Sequence, residues 1–327
     1  PLLLTEQSHS RKIVDNPLWA KVKHMFGKVS ETKTTVTRAG EPTKGPAGLL
    51  GEPTPTGEGI LSSRQERFKS LVSQGDLTSP EAAKEVRFIQ DNLEQFDKAY
   101  REKSKQEYNT DNPNIFSADV ARTAELEGRG KLTPEGAAER HAGASAYKKL
   151  RYQEALEDPV LADLDVTIMA GGSGYGKTGA IRKLAPKSLS NNIIDDTNVA
   201  SFESGKRSAE QALASNPKRL VHFFYVDRDP VVAFEKGVIS RYLDPEGDHR
   251  IVNIPTHVNN IKSKDAILEL YDYYKDNPRV RFDFVGNYGK KGEYTSLTVE
   301  NLRKKVYNLD EIRTTLEKGI EDKLNAG

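Results

Sequence analysis

The stretch GGSGYGKT at residues 171–178 has the spacing Gly-x-x-x-x-Gly-Lys-Thr, which is typical of loops that hold nucleotide phosphates. Glycines let such a loop turn its backbone N–H groups inward, and the helix that follows adds partial positive charge. We expect Lys177 to reach the β- and γ-phosphates of ATP, and the Thr178 hydroxyl to bind Mg²⁺. The residues expected to contact the nucleotide are Gly171, Gly172, Ser173, Gly174, Tyr175, Gly176, Lys177, Thr178 and Gly179.

Two adjacent carboxylates follow a short apolar run in NNIIDDTN, residues 191–198. In an open α/β sheet, ligands bind at the carboxyl ends of the strands. We therefore expect one of Asp195 and Asp196 to hold Mg²⁺, directly or through water, and the other to accept the proton of an acceptor hydroxyl. We place Asp195 with Thr178 at the metal, but the pattern leaves the two roles interchangeable. The alternative is a pair that only caps the following turn.

Two arginines lie on either side of a turn rich in Pro, Gly and Asp at residues 244–248. Guanidinium groups stay charged and grip phosphate oxygens in a fork. We expect Arg241 and Arg250 to belong to a lid that closes over ATP and neutralises the transferring phosphoryl group, the alternative being two solvated surface arginines. The six histidines show no paired metal spacing, so we expect His257 to cap or line a helix rather than to act as an acid or base.

Composition and missing motifs narrow the class of nucleotide-binding protein. The Asn-Lys-x-Asp motif that reads guanine is absent, and the 49 basic and 48 acidic side chains leave a net charge of +1. That balance gives no reason to expect nucleic-acid binding through bulk charge. The chain has no cysteine and no run of apolar residues long enough to cross a membrane. The motor ATPases usually carry Asp-Glu where this chain has Asp-Asp. A kinase that acts on a small substrate fits the residues best.

These motifs require strands and helices that alternate along the chain. The predicted strands are 165–170, 191–196, 219–226 and 279–286; the predicted helices are 177–185, 206–215, 230–242 and 257–276, with one or two closing helices in 298–324. Such alternation favours a parallel sheet covered on both faces. The predicted fold is therefore a three-layer α/β fold of the P-loop kinase type.

The sequence before residue 160 differs in composition and in hydrophobic pattern from the sequence after it. Residues 1–60 are rich in Gly, Pro, Thr and Ser and are predicted to be a flexible arm, mostly disordered, in which 16–29 could form a short docking helix. Residues 61–159 are predicted to be a helical region, with Ser79 as an N-cap and Pro80 in the first turn of one helix. Residues 160–327 are predicted to be the P-loop kinase domain.

Over residues 160–320 the sequence resembles the zeta-toxin family of P-loop kinases. The resemblance rests on GGSGYGKT (171–178), IIDDT (193–197), YVDRDPVVAFEKGVISRY (225–242), RIVNIPTHVNN (250–260) and LELYDYYKDNPRVRFDFVGNYG (268–289), in that order and spacing. It implies that Lys177 and Thr178 bind ATP and Mg²⁺, and that Arg241 and Arg250 stabilise the transition state.

The resemblance also implies a reaction and a setting. The family phosphorylates a sugar hydroxyl, that of UDP-N-acetylglucosamine in some branches, and related bacterial effectors phosphorylate NAD. A toxin or secreted effector is thus expected, in the bacterial cytoplasm or in a host cell, with an antitoxin or chaperone as a protein partner. Two other hypotheses stay open: an ATP-gated interaction module without phosphotransfer, and a polynucleotide end kinase.

Overall fold

The computed structural model describes residues 57–77, 79–129, 132, 136–243, 252–289 and 292–325. The chain forms two compact units, Pro1–Glu66 with Gly327, and Arg67–Ala326. The predicted arm lies outside the described residues except at 57–60, which begin a helix, and the predicted docking helix 16–29 lies outside them entirely. The composition and hydrophobic pattern of the sequence change near residue 160, but the second compact unit includes residues on both sides of that position.

A six-stranded sheet is found in the part of the chain that the structure describes. Its strands are β1 (Ile115–Ser117), β2 (Val166–Ala170), β3 (Ile193–Asp196), β4 (Val221–Asp227), β5 (Val280–Gly286) and β6 (Thr295–Leu297). They lie in the order β1-β3-β2-β4-β5-β6, and all neighbours are parallel except β5 and β6. The strand β2, which leads into the glycine-rich loop, therefore lies between the acidic strand β3 and β4. The four predicted strands are confirmed, whereas β1 and β6 were not predicted.

The described helices are α1 (Gly57–Ser70), α2 (Pro80–Asp91), α3 (Leu93–Tyr108), α4 (Ala118–Thr123), α5 (Gly136–Glu139), α6 (His141–Glu157), α7 (Lys177–Leu184), α8 (Pro186–Asn191), α9 (Phe202–Ser215), α10 (Pro230–Ala233), α11 (Ser240–Leu243), α12 (Ile254–Ile261), α13 (Ser263–Tyr274), α14 (Val299–Arg303) and α15 (Leu309–Asn325). A π-helical segment, Phe234–Ile239, joins α10 to α11. The predicted N-cap of α2 is confirmed, because the Ser79 side chain accepts a hydrogen bond from the Ala82 amide at 3.0 Å.

Successive strand residues point to opposite sides of the sheet, so apolar side chains lie on both faces, and helices pack against each face to bury them. Met169 of β2 and Phe224 of β4 belong to one buried cluster, with side chains from α2, α3, α6 and α7. Ile168 and Phe223 belong to a second cluster, with side chains from α9 and α13. The prediction of an α/β fold with helices on both sides of a mostly parallel sheet is confirmed. The helical region forms part of the first cluster, so it shares a core with the sheet.

The helical region also supplies the edge strand β1. The buried Tyr100 hydroxyl donates to the Ile115 carbonyl at 2.9 Å and accepts from the Ser117 amide at 2.7 Å. The Asn112 side-chain amide donates to the carbonyls of Leu189 and Asn192 at 2.7 and 2.8 Å. The Tyr100 bonds thus attach β1 to α3 and satisfy buried backbone groups of this strand, and the Asn112 bonds attach the segment before β1 to the segment before β3.

Because the helices and the strands contribute side chains to the same two buried clusters, we expect Arg67–Ala326 to unfold in one transition. Phe96 is fully buried and contacts the Tyr147 ring edge-on at 4.6 Å. We predict that Phe96→Ala lowers the free energy of unfolding by about 3–5 kcal/mol. Urea unfolding followed by far-UV and near-UV circular dichroism should give coincident curves. The control is Val306→Ala at an exposed site, which should cost less than about 0.5 kcal/mol. Separate transitions for helices and sheet would contradict this account.

Candidate phosphate-binding site

The loop between β2 and α7 takes a conformation that only glycine adopts readily. Gly171, Gly174 and Gly176 have φ angles of 127°, 79° and 85°. These values lie in the left-handed region, where a side chain is strained. A Cβ atom on Gly174 would also collide with the backbone carbonyl of Ala233. The glycine spacing seen in the sequence is therefore required by the shape of the loop and by its close contact with α10.

Side chains from other elements hold the loop from outside. The Arg228 guanidinium donates to the Gly174 carbonyl at 2.8 Å, and the Asn287 amide donates to the Tyr175 carbonyl at 2.8 Å. Arg228 directly follows β4, and Asn287 directly follows β5. Burial lowers the pKa of Arg228 from its usual value. Both residues were missed in the sequence because single polar residues at strand ends resemble ordinary turn residues.

Lys177 begins α7 and its ammonium group turns back over the loop. It donates to the Gly171 carbonyl and to the Asn198 side-chain oxygen, each at 3.0 Å. It also lies 3.8 Å from a carboxylate oxygen of Asp196. The predicted loop lysine and one predicted carboxylate are thus brought together at the carboxyl edge of the sheet.

The two predicted carboxylates lie on opposite faces of the sheet, because residues next to each other on a strand alternate in direction. Asp196 faces the loop, where its Oδ2 atom accepts from the Tyr108 hydroxyl at 2.5 Å and from the Ser117 hydroxyl at 3.3 Å. Asp195 faces the other way and is almost fully buried. It pairs with Lys148 at 2.5 Å and accepts from the Ser208 hydroxyl at 2.6 Å. The structure therefore places Asp196, and not Asp195, beside Lys177.

The turn after Asp196 holds a strained residue. Val199 has φ of 48° and is almost fully buried. A β-branched side chain is rare in this region of backbone conformation, and such outliers cluster at functional sites. The neighbouring Asn198 bonds to Lys177 and accepts, through its carbonyl, a 3.5 Å bond from the Gly171 amide. The strained turn thus connects the end of β3 to the loop.

The helix that carries Arg241 packs directly against the loop. The π-helical segment includes Gly237, where a Cβ atom would lie 2.6 Å from the Gly174 Cα atom. Segments of π-helix occur often at functional sites. Arg241 follows in α11 and its side chain is exposed. The other predicted arginine, Arg250, and His249 lie outside the described residues.

Other side chains near this edge have structural partners. The buried ring of His257 lies 2.8 Å from the Pro230 carbonyl through its Nε2 atom, which fits the expected helix-lining role, and burial lowers its pKa. Asp227, fully buried at the end of β4, is contacted by Tyr288, Tyr307 and Lys305. Burial, followed by the Asp227 contact, raises the pKa of Tyr288 above its usual range. Asp227 therefore fastens the chain segment before α15 to the sheet.

The described residues offer a metal ion no cluster of ligating side chains. They contain no group of three or more His, Cys, Asp or Glu side chains arranged to hold a metal ion. Magnesium needs no such group, because it is usually bound by one or two protein oxygens together with phosphates and water. Thr178 lies half-buried in the first turn of α7, where its hydroxyl can serve in that way. Within the same residues, no helix has the length and apolar character needed to cross a membrane.

The chain matches no protein-family model and no curated protein. Among solved structures, it is similar to a chain in the crystal structure of AvrRxo1-ORF1 with AvrRxo1-ORF2, obtained with sulphate ions. The identity is 13%, the match covers 53% of this chain and 82% of the other, and the TM-score is 0.35.

Gly174 and Gly292 have nearly the same φ, so replacing each with alanine distinguishes the effect of backbone strain from the effect of a steric clash. Gly174 lies against Ala233 and Gly237, whereas Gly292 has φ of 85° and open space where a Cβ atom would lie. We predict that Gly292→Ala costs about 1 kcal/mol of stability from strain alone. Gly174→Ala should cost more and should also displace the loop, weakening the binding of a fluorescent ATP analogue at least tenfold. Urea unfolding and fluorescence titration measure the two effects. Equal effects of both substitutions on binding would show that the loop does not hold phosphate.

Proposed function

We propose that this protein is a P-loop kinase that transfers the γ-phosphoryl group of ATP to a hydroxyl of a small nucleotide-containing molecule. The observation that carries the proposal is the position of Lys177, at the start of a glycine-rich phosphate loop and 3.8 Å from the Asp196 carboxylate. A cation that binds the donor phosphates and a base that takes the acceptor proton are the two groups that this reaction needs at one point.

The backbone of the glycine-rich loop and the side chain of Lys177 would bind the phosphates of ATP in this reaction. The loop carbonyls of Gly171, Gly174 and Tyr175 are engaged by Lys177, Arg228 and Asn287. Holding carbonyls outward lets the N–H groups face bound phosphate, together with the N-terminus of α7. Lys177 exchanges its bonds to neutral oxygens for bonds to the phosphates. The loop N–H groups, held in place by Arg228 and Asn287, stabilise negative charge as it develops without reorganising during the reaction.

Asp196 orients the acceptor hydroxyl and accepts its proton as the new O–P bond forms and the bond between the γ-phosphorus and the bridging oxygen breaks, which releases ADP. Asp195 does not share this task in our proposal, because Lys148 and Ser208 hold it on the far face of the sheet. Arg241, on the helix that contacts Gly174, would neutralise the phosphoryl group together with Arg250. Mg²⁺, held by Thr178 and phosphate oxygens, would supply the remaining positive charge.

The proposed acceptors are UDP-N-acetylglucosamine and NAD, which the zeta-toxin resemblance implies. The same resemblance is the basis for proposing a toxin or secreted effector, acting in the bacterial cytoplasm or in a host cell, with an antitoxin or chaperone as its partner. The clustering of base, lysine and loop favours transfer over an ATP-gated interaction module, which needs no base. The balanced charge of the chain gives no support to a polynucleotide end kinase.

The proposal is tested by incubating the full chain with Mg²⁺, [γ-³²P]ATP and either UDP-N-acetylglucosamine or NAD. We expect labelled acceptor with the wild-type chain and a loss of about 10²-fold or more with Lys177→Ala, because charge stabilisation in the transition state is lost. Oligonucleotides with a free 5′ end serve as a third acceptor. Equal labelling by wild type and Lys177→Ala would refute the proposed kinase activity.

The adjacent aspartates provide a matched pair of variants. We predict that Asp196→Asn lowers kcat by about 10²–10⁴-fold, because the general base is removed. Asp195→Asn should retain kcat within a few-fold and should instead lower stability, because it weakens the buried pair with Lys148. Steady-state transfer rates and urea unfolding of both variants measure this. If Asp195→Asn abolishes transfer while Asp196→Asn leaves it intact, the assignment of the base is wrong.

A further inference from the structure

We infer that Tyr108, which lies in the helical region before the phosphate loop, is a positioning residue that fixes the Asp196 carboxylate for proton transfer. The inference rests on the proposed kinase function. It extends that function beyond residues 160–320, since Tyr108 lies outside the stretch that resembles a known family. It also gives the helical region a direct part in the reaction.

The contact between the two side chains is short and shielded from water. The Tyr108 hydroxyl donates to Asp196 Oδ2 at 2.5 Å, and only 1% of Tyr108 is exposed. Burial and the nearby Asp196 charge raise the pKa of Tyr108 well above its usual value, so the hydroxyl keeps its proton and acts as the donor. Hydrogen bonds to a charged acceptor are stronger than those between neutral groups.

The hydrogen bonds give the two carboxylate oxygens different roles. Oδ2 accepts from Tyr108 and from Ser117, whereas Oδ1 is the oxygen that lies 3.8 Å from Lys177. We therefore assign acceptance of the proton to Oδ1. Tyr108 and Ser117 hold Oδ2 on the side of the edge strand, so that the carboxylate does not rotate away from the phosphate loop.

The backbone around Tyr108 holds its ring in place. Tyr108 is the last residue of α3, and Asn109 after it ends the helix in the left-handed conformation with φ of 50°. Ser117 is paired in register with Asp196 between β1 and β3. The helix end and the edge strand thus reach Asp196 from one side, while Lys177 reaches it from the loop. A displacement of about 1 Å in a reacting group can lower the rate about 10²-fold. Loss of the contacts that hold Asp196 should therefore lower the rate of phosphoryl transfer measurably.

The test is Tyr108→Phe, which removes the hydroxyl and keeps the ring. The matched control is Tyr147→Phe, because Tyr147 is equally buried in the same region and donates to Asp97 at 2.6 Å, away from the loop. We expect Tyr108→Phe to lower kcat for ³²P transfer to the active acceptor by about 10- to 100-fold, with the KM for ATP changed less than twofold. Tyr147→Phe should leave both kinetic constants within twofold of wild type.

Ser117→Ala is a second, milder variant that keeps the test decisive if Tyr108→Phe does not fold. It removes the weaker bond to the same oxygen, and we expect kcat to fall two- to fivefold with KM for ATP unchanged. A kcat for Tyr108→Phe equal to that of Tyr147→Phe would overturn the inference while leaving the kinase proposal standing. So would a change confined to the KM for ATP. Absence of transfer by the wild-type chain would instead refute the kinase function and the inference with it.

Discussion

The candidate site depends on one contact, the approach of Lys177 to Asp196 at 3.8 Å across the carboxyl edge of the sheet. It exists because β2 and β3 are parallel neighbours, so that the loop after one strand and the acid at the end of the other meet at the same edge. It also requires the strand alternation that turns Asp196, and not Asp195, toward the loop. A shift of β3 by one residue would exchange the two carboxylates and turn Asp195, the partner of Lys148, toward the glycine-rich loop.

Support for this contact comes from three directions. Arg228 and Asn287, after β4 and β5, hold the loop carbonyls, and Gly237 lets the π-helical segment lie against Gly174. Tyr108 and Ser117 hold the carboxylate from the edge strand. These residues come from segments far apart in sequence, so the site forms only when the whole unit Arg67–Ala326 is folded. The helical region is therefore part of the site's framework.

The features that depend on local residue spacing could be predicted from the sequence. The glycine pattern at 171–178, the four inner strands and the Ser79 cap each follow from short-range rules. Features that depend on contacts between residues distant in the sequence could not be predicted from it. The three residues of β1 are too few to show a strand pattern, and this strand is supported by contacts with Tyr100 of α3 and by the bonds of Asn112 to the segment before β3. The roles of Asp195 and Asp196 stayed interchangeable because their partners, Lys148 and Tyr108, lie far from them in the sequence.

The most direct test of the central contact is a crystal structure of the chain with Mg²⁺ and the β,γ-imido analogue of ATP. The account predicts that the phosphates lie in the loop, with Lys177 Nζ within hydrogen-bond distance of the β- and γ-phosphate oxygens. Asp196 would keep its bonds to Tyr108 and Ser117, with Oδ1 facing the γ-phosphate. Nucleotide bound elsewhere, or Asp196 turned away from the γ-phosphate, would contradict the proposal that these residues form the donor and base of a kinase.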